Sequence, residues 1–320
     1  MAVAVSNALI TIDKLKKHFR VKDKGILHAV DDVSADIQAG ETLGLVGESG
    51  CGKSTIGRVV VGLLVPTAGD VRYQGQSVFS VRGEEKKLIR RKIQMVFQDP
   101  YSSLNPRKTV RDILAAPFEV HGLARRDALR DEVERLAQLT GINREILGKY
   151  PHELDGGKRQ TVGIARALAL HPDFVVCDEP VSSLDVSIQA QIINLLMDLQ
   201  EKLNLTYLFI SHDLSVVRHL SRRIAVMYLG KIVESADTDE LFANARHPYT
   251  KALLSAVPST HSGQKMKRII LTGDVPSPIN PKPGCRFHPR CWLAEPICRE
   301  IDPQLLMVGN GHSVSCHLTK

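Results

Sequence analysis

Residues 47–54 read Gly47-Glu48-Ser49-Gly50-Cys51-Gly52-Lys53-Ser54, and this stretch determines how the rest of the chain is interpreted. It fits G-x-x-x-x-G-K-[ST], follows the apolar segment 42–46 and opens a helix-like segment at 54–64. Glycines let successive backbone N–H groups converge on an anion, and the helix start adds partial positive charge. Lys53 can reach the outer phosphates of a nucleotide, and the Ser54 hydroxyl can ligate Mg²⁺. We therefore predict a phosphate-binding loop made by Gly47, Ser49, Gly50, Cys51, Gly52, Lys53, Ser54 and Thr55.

A second pattern lies at 174–179, where an apolar run ends in Asp178 and Glu179. A strand of this kind delivers side chains to the phosphate end of a parallel sheet. Asp178 is suited to hold Mg²⁺ through water, and Glu179 is suited to polarise the attacking water as general base. Two acids that end a strand are weak evidence alone, but together with the loop they predict phosphoryl transfer to water.

The rest of the chain alternates between strand-like and helix-like segments. Strand-like runs occur at 42–46, 93–97, 174–177, 206–210 and 223–228. Continuous apolar runs predict strands covered on both faces, and their alternation with helices predicts an α/β core with a mainly parallel sheet.

Two other regions depart from this pattern. The early segments 10–37 and 69–78 alternate in polarity as an adjoining antiparallel sheet would. The region from about 101 to 157 contains only helix-like patterns, so we predict a helical insertion there.

Composition limits the class of protein. Hydrophobic residues make up 43% and charged residues 24% of 320 residues, as in ordinary globular proteins. The net charge of +7 comes without a dense Lys/Arg run, which argues against a nucleic-acid partner. No segment has the ~20 apolar residues of a membrane span, and the first residues do not read as a secretory signal. We expect a cytoplasmic location, with any membrane association made through a partner.

With these motifs in place, the chain resembles the ATP-binding cassette (ABC) ATPases from about residue 10 to 258. The resemblance implies a P-loop NTPase cassette with a RecA-like parallel sheet, an antiparallel β subdomain and a helical insertion. It implies ATP and Mg²⁺ as ligands, with Gln98 contacting Mg²⁺ beside Ser54, and residues 182–185 crossing a dimer interface. It also implies that His212 contacts the γ-phosphate and that Phe19 stacks on adenine. The catalytic residues would then be Glu179, His212 and Gln98.

The segment Leu154-Asp155-Gly156-Gly157-Lys158 departs from the LSGGQ signature typical of that family. Asp155, Gly156 and Gly157 would face the γ-phosphate bound on the opposite subunit. Asp is a good N-cap, yet a carboxylate 4 Å from phosphate is repelled by about 4 kcal/mol at an effective dielectric constant of ~20. Lys158 can offset part of that repulsion. We hypothesise pairing with a different ATPase subunit, with one competent and one weakened site.

Three segments narrow the resemblance to the ATPases of oligopeptide, dipeptide and nickel importers: 99–107, 247–254 and 284–291. The resemblance implies as partners a second ABC ATPase subunit, two membrane permeases and, indirectly, an extracytoplasmic solute-binding protein. It also implies a peripheral location on the cytoplasmic face of the inner membrane. Peptide is the favoured solute, and nickel or another small solute remains open. An exporter half and a soluble cassette protein acting on DNA or ribosomes are the disfavoured alternatives.

The composition of the chain changes after Pro258, where Pro, Gly and Cys become frequent. We therefore predict a nucleotide-binding domain at 1–258 and a Cys-rich C-terminal regulatory or metal module at 259–320. Four of the six cysteines lie in that module: Cys285, Cys291, Cys298 and Cys316. Four thiolates suit a [4Fe–4S] cluster or tetrahedral zinc. The family resemblance favours the cluster, while zinc and reduced thiols stay open.

Overall fold

The structure, a computed structural model, describes residues 8–257, 268–309 and 311–319. The chain separates into two units, of which the first is Met1–Ile37, Thr42–Phe79 and Ser211–Lys320. The second is Gln38–Glu41 and Ser80–Ile210. The domain boundary that the sequence predicts between 258 and 259 lies outside the described residues.

The described elements alternate between strands and helices over most of the chain. The first half contains β1 (Ile10–Val21), β2 (Gly25–Ile37), β3 (Thr42–Val46), α1 (Lys53–Val60), β4 (Ala68–Tyr73), β5 (Gln76–Ser77), α2 (Gly83–Lys92), β6 (Ile93–Val96), α3 (Pro100–Ser103), α4 (Val110–Val120) and α5 (Arg126–Leu139). The second half contains α6 (Gly156–Leu168), β7 (Phe174–Asp178), α7 (Val186–Leu203), β8 (Thr206–Ser211), α8 (Leu214–Leu220), β9 (Arg223–Tyr228), β10 (Lys231–Asp237), α9 (Thr238–Asn244), α10 (Pro248–Ser255), α11 (Ile297–Glu300), β11 (Leu306–Gly309) and β12 (His312–Val314). Short 3₁₀ turns lie at Arg144–Gly148, Pro151–Glu153 and His288–Arg290.

The first unit contains an antiparallel sheet in the order β2-β1-β4-β5. This agrees with the alternating polarity of segments 10–37 and 69–78. In the hairpin of β1 and β2, His18 is paired with His28 and Phe19 with Leu27. The hairpin therefore places these residues side by side, although nine residues of chain lie between the two histidines.

The same unit contains a second set of strands that carries the phosphate loop. Here β3 runs parallel to β9, and β9, β10, β12 and β11 then pair antiparallel in that order. Every residue of β3 is buried, which explains its continuous apolar run. The C-terminal strands β12 and β11 thus continue this set of paired strands beyond β10.

The second unit has a parallel arrangement of β6, β7 and β8, with β7 in the middle. All residues of β7 and β8 are buried, as their sequences predict. The predicted insertion at about 101–157 contains helices and 3₁₀ turns and no strand. Thr109 begins α4 with a capping box, because its hydroxyl accepts from the Asp112 N–H and the Asp112 carboxylate accepts from the Thr109 N–H.

Two further observations complete the fold. The helix after the phosphate loop ends at Val60, earlier than the predicted 64, since Gly62 takes a left-handed conformation (φ 72°) that stops the helix. Among the helices of the described residues, none combines the length and apolar character needed to cross a bilayer.

Candidate nucleotide site

The phosphate loop connects β3 to α1 in the first unit. Gly52 is the N-cap of α1, with φ 111° and no side chain to cap the first turn, and that turn carries no acid. A Cβ at Gly52 would lie 2.0 Å from the Ala29 carbonyl oxygen, so a larger residue cannot occupy this position. The first turn of α1 thus carries no acidic residue that would offset the positive end of the helix, which favours an anion there.

Lys53 is 4% exposed and folds back over the loop that precedes it. Its Nζ donates to the Gly47 carbonyl at 2.7 Å and to the Glu48 carbonyl at 3.1 Å. Cys51 is buried in the same loop, and burial raises the pKa of its thiol. A protonated, buried thiol suits a small packed residue and not a nucleophile.

His212 lies in the first unit, between β8 and α8, and is exposed. The next residue, Asp213, caps α8 by accepting from the Ser215 N–H at 2.8 Å, and its own N–H donates to the Ser211 hydroxyl at 3.0 Å. These two hydrogen bonds fix the backbone on either side of the histidine.

The second unit brings Glu179, the predicted general base, and Gln98 into contact. Gln98 donates from Nε2 to Oε2 of Glu179 at 3.2 Å. Glu179 has φ 45°, a left-handed conformation that costs a non-glycine residue about 1 kcal/mol or more and is concentrated at functional sites. Its backbone N–H donates to the Ile210 carbonyl at 3.0 Å, which holds the strained residue to the end of β8. Asp178, just before it, is 1% exposed.

The turn that follows is held by side-chain hydrogen bonds. Ser182 donates from its hydroxyl to the Glu179 carbonyl at 3.1 Å. Gln189, on α7, donates to the carbonyls of Val181 at 3.0 Å and Leu184 at 2.9 Å. The segment 182–185 is therefore a defined loop between β7 and α7.

The signature-like segment begins α6 in the second unit. Asp155 is the N-cap, accepts from the Lys158 N–H at 2.8 Å and forms an ion pair with Lys158 Nζ at 2.7 Å. The hydrogen bond from the Lys158 side chain is the main cause that lowers the pKa of the Asp155 carboxyl, and the bond from the Lys158 backbone N–H lowers it further. A Cβ at Gly157 would lie 2.6 Å from Cγ2 of Ile188, so α6 packs against α7 where only glycine fits.

Phe19 lies on β1, half-buried, with the Lys17 ammonium 4.9 Å from its ring centroid. The hairpin around it lines a cavity of about 670 Å³, formed by residues 18–21 and 23–26. A half-buried ring beside an open cavity is able to take a stacked planar ligand.

Comparison with known proteins decides the family. The ABC transporter family model matches residues 30–182, and the model for the C-terminal region of oligopeptide/dipeptide transporters matches 233–298. The oligopeptide transport ATP-binding protein AppF of Bacillus subtilis is 50% identical, over 99% of this chain and 99% of its own. This chain belongs to the ABC transporter ATP-binding proteins of the oligopeptide/dipeptide branch. It is an ABC-type ATPase.

Other relatives and solved structures agree. The dipeptide transport ATP-binding protein DppF of Escherichia coli is 48% identical, over 94% of this chain and 92% of its own. A solved structure of the ATP-binding cassette MJ0796, a dimer in a post-hydrolysis state bound to ADP and Pi, has a TM-score of 0.65 and 27% identity. It covers 72% of this chain and 98% of its own. The cassette fold with mixed α/β sheets, expected from the motifs, is confirmed.

The iron–sulfur prediction for this ABC ATPase is wrong. The descriptions of the relatives and of both family models name ATP binding or transport and no cluster. In residues 8–257, 268–309 and 311–319, the one group of possible ligands that gathers within 4.8 Å contains no cysteine. Burial raises the pKa of Cys285 to about 11 and also raises that of Cys291. The spacing of Cys285, Cys291, Cys298 and Cys316 therefore did not indicate a cluster.

The group of possible ligands that the structure does show consists of His18, His28 and Asp31. Each imidazole lies 3.2 Å from one Asp31 oxygen, and the two rings stack with centroids 4.0 Å apart. The Arg286 guanidinium also donates to Asp31. Burial raises the pKa of the Asp31 carboxyl, but hydrogen bonds from His28 and His18 and the charge of Arg286 outweigh it and lower the pKa to about 2. A guanidinium already neutralises this carboxylate, so the group is best described as a half-buried hydrogen-bond cluster around the Arg286–Asp31 ion pair.

Sequence reasoning missed two residues of the loop's environment. Tyr249 accepts from the Glu48 N–H at 2.9 Å, and Arg290 donates to the Glu48 carboxylate at 2.7 Å. The two side chains come from 201 and 242 residues further along the chain. No local pattern marks such a contact, although both residues lie in segments 247–254 and 284–291, which carry the resemblance to the peptide branch.

Proposed function

We propose that this chain is the ATP-hydrolysing subunit of an importer for di- or oligopeptides. The observation that carries the proposal is the identity of 50% to an oligopeptide transport ATP-binding protein along the full length of both chains. A second support is the match of residues 233–298 to a region named for oligopeptide/dipeptide transporters. This region is separate from the motifs that any ATPase of the family needs.

The catalytic roles follow from the second unit. Glu179 is the general base that takes a proton from the attacking water, and Gln98 orients its carboxylate through their 3.2 Å hydrogen bond. Because φ 45° at Glu179 is set by hydrogen bonds on both sides, the carboxylate is preorganised before ATP binds.

The binding roles follow from the loop and the residues that resemble the family. Gly47, Ser49, Gly50, Cys51, Gly52 and Thr55 line the phosphates, Lys53 neutralises them, and Phe19 stacks on adenine. Ser54, Asp178 and Gln98 offer the oxygen ligands that Mg²⁺ prefers, and His212 contacts the γ-phosphate. Mg²⁺ supplies neutralisation of charge on the transferred phosphoryl group.

The chain works with a second, different ABC ATPase subunit on two membrane permeases, at the cytoplasmic face of the membrane. Asp155 supports the unequal pair, because its carboxylate would approach phosphate in the partner's site with Gly156 and Gly157. The ion pair with Lys158 reduces that repulsion, but both side chains are 55% exposed and the pair is worth little in water. The division into a domain at 1–258 and a module at 259–320 stays a prediction.

Hydrolysis tests the proposed chemistry. The assembled complex with Glu179→Gln is expected to bind ATP normally and to lose about 10²–10⁴-fold in hydrolysis rate at this site. Glu201→Gln, the same chemical change at an exposed position of α7, serves as the matched control and keeps full activity. Unchanged hydrolysis with Glu179→Gln would remove this residue from the catalytic role.

A further inference from the structure

The phosphate loop is held from outside by two side chains of the C-terminal segments. Tyr249 accepts from the Glu48 N–H at 2.9 Å, and Arg290 Nη1 donates to Oε2 of Glu48 at 2.7 Å. Glu48 is the second residue of the loop, and its carbonyl accepts from Lys53 Nζ. The same residue therefore contacts the phosphate-binding lysine on one side and the C-terminal segments on the other.

A buried aromatic cluster fixes these two side chains in place. Tyr228, Tyr249 and Phe287 are each about 1% exposed or less. Their ring centroids lie 4.7 to 5.5 Å apart in edge or tilted contacts. Phe287 directly precedes the 3₁₀ turn His288–Arg290, so its insertion sets the position from which Arg290 reaches the loop.

The charge on Glu48 connects its contact with Arg290 to nucleotide binding. Glu48 is the one acidic residue of the stretch 47–54. A carboxylate in a loop that receives phosphates repels them, and partial burial limits the screening. The Arg290 side chain is 9% exposed and places a permanent positive charge directly on that carboxylate.

A buried arginine at position 290 lowers stability more than is needed if its only role is to pack the C-terminal segment against the rest of the first unit. Arg290 Nε is buried and has no hydrogen-bond partner among the described residues. A buried unsatisfied donor lowers stability, and an apolar residue beside the aromatic cluster would dock the segment without that cost. The hydrogen bond to Glu48, opposed by burial, raises the pKa of Arg290, which keeps its charge constant at any physiological pH.

The same C-terminal segment also contacts the hairpin that carries Phe19. Asn280 donates its N–H to the Ile26 carbonyl at 2.9 Å, and its side chain accepts from the Ile26 N–H at 2.9 Å. Arg286 donates to Asp31 and to the Leu229 carbonyl. The segment 280–290 thus contacts both parts of the first unit that would hold ATP, the adenine hairpin and the phosphate loop.

We propose that Arg290 is a positioning residue for ATP binding, which neutralises Glu48 and, with Tyr249, fixes the entrance of the phosphate loop. The proposal rests on the proposed function, since it requires that the loop bind ATP. It assigns to the peptide-branch C-terminal segment a part in the nucleotide site. Arg290 acts on the loop through its hydrogen bond to the Glu48 carboxylate.

A double-mutant cycle in the full-length chain tests this role. Dissociation constants for ATP and ADP, each with Mg²⁺, are measured for the wild type and for Arg290→Gln, Glu48→Gln and the double variant, together with thermal midpoints. Arg290→Gln leaves Glu48 uncompensated and is expected to weaken ATP binding about tenfold, with a smaller effect on ADP. The double variant removes both charges and is expected to return to within about twofold of the wild type.

Two further variants separate charge from geometry. Arg290→Lys keeps the charge without the planar fork and is expected to fall between the wild type and Arg290→Gln. Arg299→Gln, at an exposed arginine of α11, is the matched control and is expected to bind ATP as the wild type does.

The outcomes are distinguishable. Equal weakening in Arg290→Gln and in the double variant, with lowered thermal midpoints, would overturn the proposal and leave Arg290 a structural residue. Wild-type affinity in Arg290→Gln would overturn it as well. Failure of the wild type itself to bind ATP would overturn the proposed function and, with it, this inference.

Discussion

Asp155 illustrates how one residue can serve a structural and an electrostatic role at once. The sequence predicts an N-cap from its position before Gly156-Gly157, and the structure shows the bond to the Lys158 N–H. The sequence also predicts like-charge repulsion, with Lys158 as a partial offset, and the ion pair between them has the geometry for that offset. Capping depends on an oxygen acceptor, whereas repulsion depends on charge, so the two roles can be separated.

The first prediction separates them by substitution. Asp155→Ser keeps an N-cap acceptor and is expected to change the free energy of unfolding by less than about 0.5 kcal/mol, while Asp155→Ala is expected to lower it by about 1 kcal/mol. Urea unfolding of the three proteins measures the difference. Equal destabilisation by Ser and Ala would show that the exposed ion pair with Lys158, and not the cap, holds the start of α6.

His247 is a second residue whose burial has a measurable consequence. It caps α10 by accepting the Tyr249 N–H at Nδ1 and is 1% exposed. Burial lowers the pKa of its imidazole to about 3. The imidazole must therefore be neutral to keep its hydrogen bond from Tyr249 and its contact with the Phe287 ring.

The second prediction is a pH dependence. In the unfolded chain His247 takes up a proton near pH 6.5, whereas the folded chain does not until about pH 3. The stability that neutral His247 provides is thus present above about pH 6.5 and is lost as pH falls toward 3, by about 1.4 kcal/mol per pH unit for one proton. His247→Asn keeps a capping acceptor without a titrating ring.

The measurement is the free energy of unfolding of both proteins from about pH 7 to 4. The slope of the wild type is expected to exceed that of His247→Asn by about one proton. Parallel slopes would mean that the histidine is protonated in the folded protein.

At the scale of elements, hydrogen bonds to one buried carboxylate fasten β12 to β10. Glu234 is 0% exposed, and its carboxylate accepts from the backbone N–H groups of Arg246 at 2.6 Å and His247 at 3.1 Å. His312, on β12, lies 2.7 Å from the same carboxylate and 3.3 Å from Glu240. One buried acid therefore joins β10, β12 and the start of α10.

The third prediction concerns the loss of stability when Glu234 loses its hydrogen bond with His312. His312→Ala is expected to lower the free energy of unfolding by about 2 kcal/mol, since a buried carboxylate loses its side-chain hydrogen-bond partner. His219→Ala, on the exposed side of α8, is the matched control and is expected to cost less than about 0.5 kcal/mol. Similar small losses in both variants would show that β12 is not fastened through Glu234.

At the scale of the whole molecule, local patterns predicted strands β1 to β9, the helical insertion and the phosphate loop, but not the strands β10, β11 and β12. These features depend on apolar runs and glycine spacing, which are visible within about ten residues. Arg290 and Tyr249 were not predicted, because their contact with Glu48 depends on the packing of segments more than 200 residues apart. The iron–sulfur prediction was wrong for a related reason, because the spacing of cysteines along the chain does not determine where their sulfur atoms lie.

The fourth prediction concerns the unequal pair of ATPase subunits. Glu179→Gln in this chain is expected to abolish most turnover of the assembled complex, because it removes the base from the competent site. The equivalent change in the partner ATPase is expected to remove little, because that site is completed by Asp155. Equal loss of turnover from the two changes would contradict the asymmetry.

The most direct test of the central claim is peptide uptake by the reconstituted importer. This chain is assembled with its partner ATPase, permeases and binding protein in vesicles, and accumulation of labelled di- and oligopeptides is followed with ATP. We expect ATP-dependent peptide uptake that Glu201→Gln preserves and Glu179→Gln abolishes. Uptake that continues with Glu179→Gln, or a complex that hydrolyses ATP and transports another solute but no peptide, would contradict it.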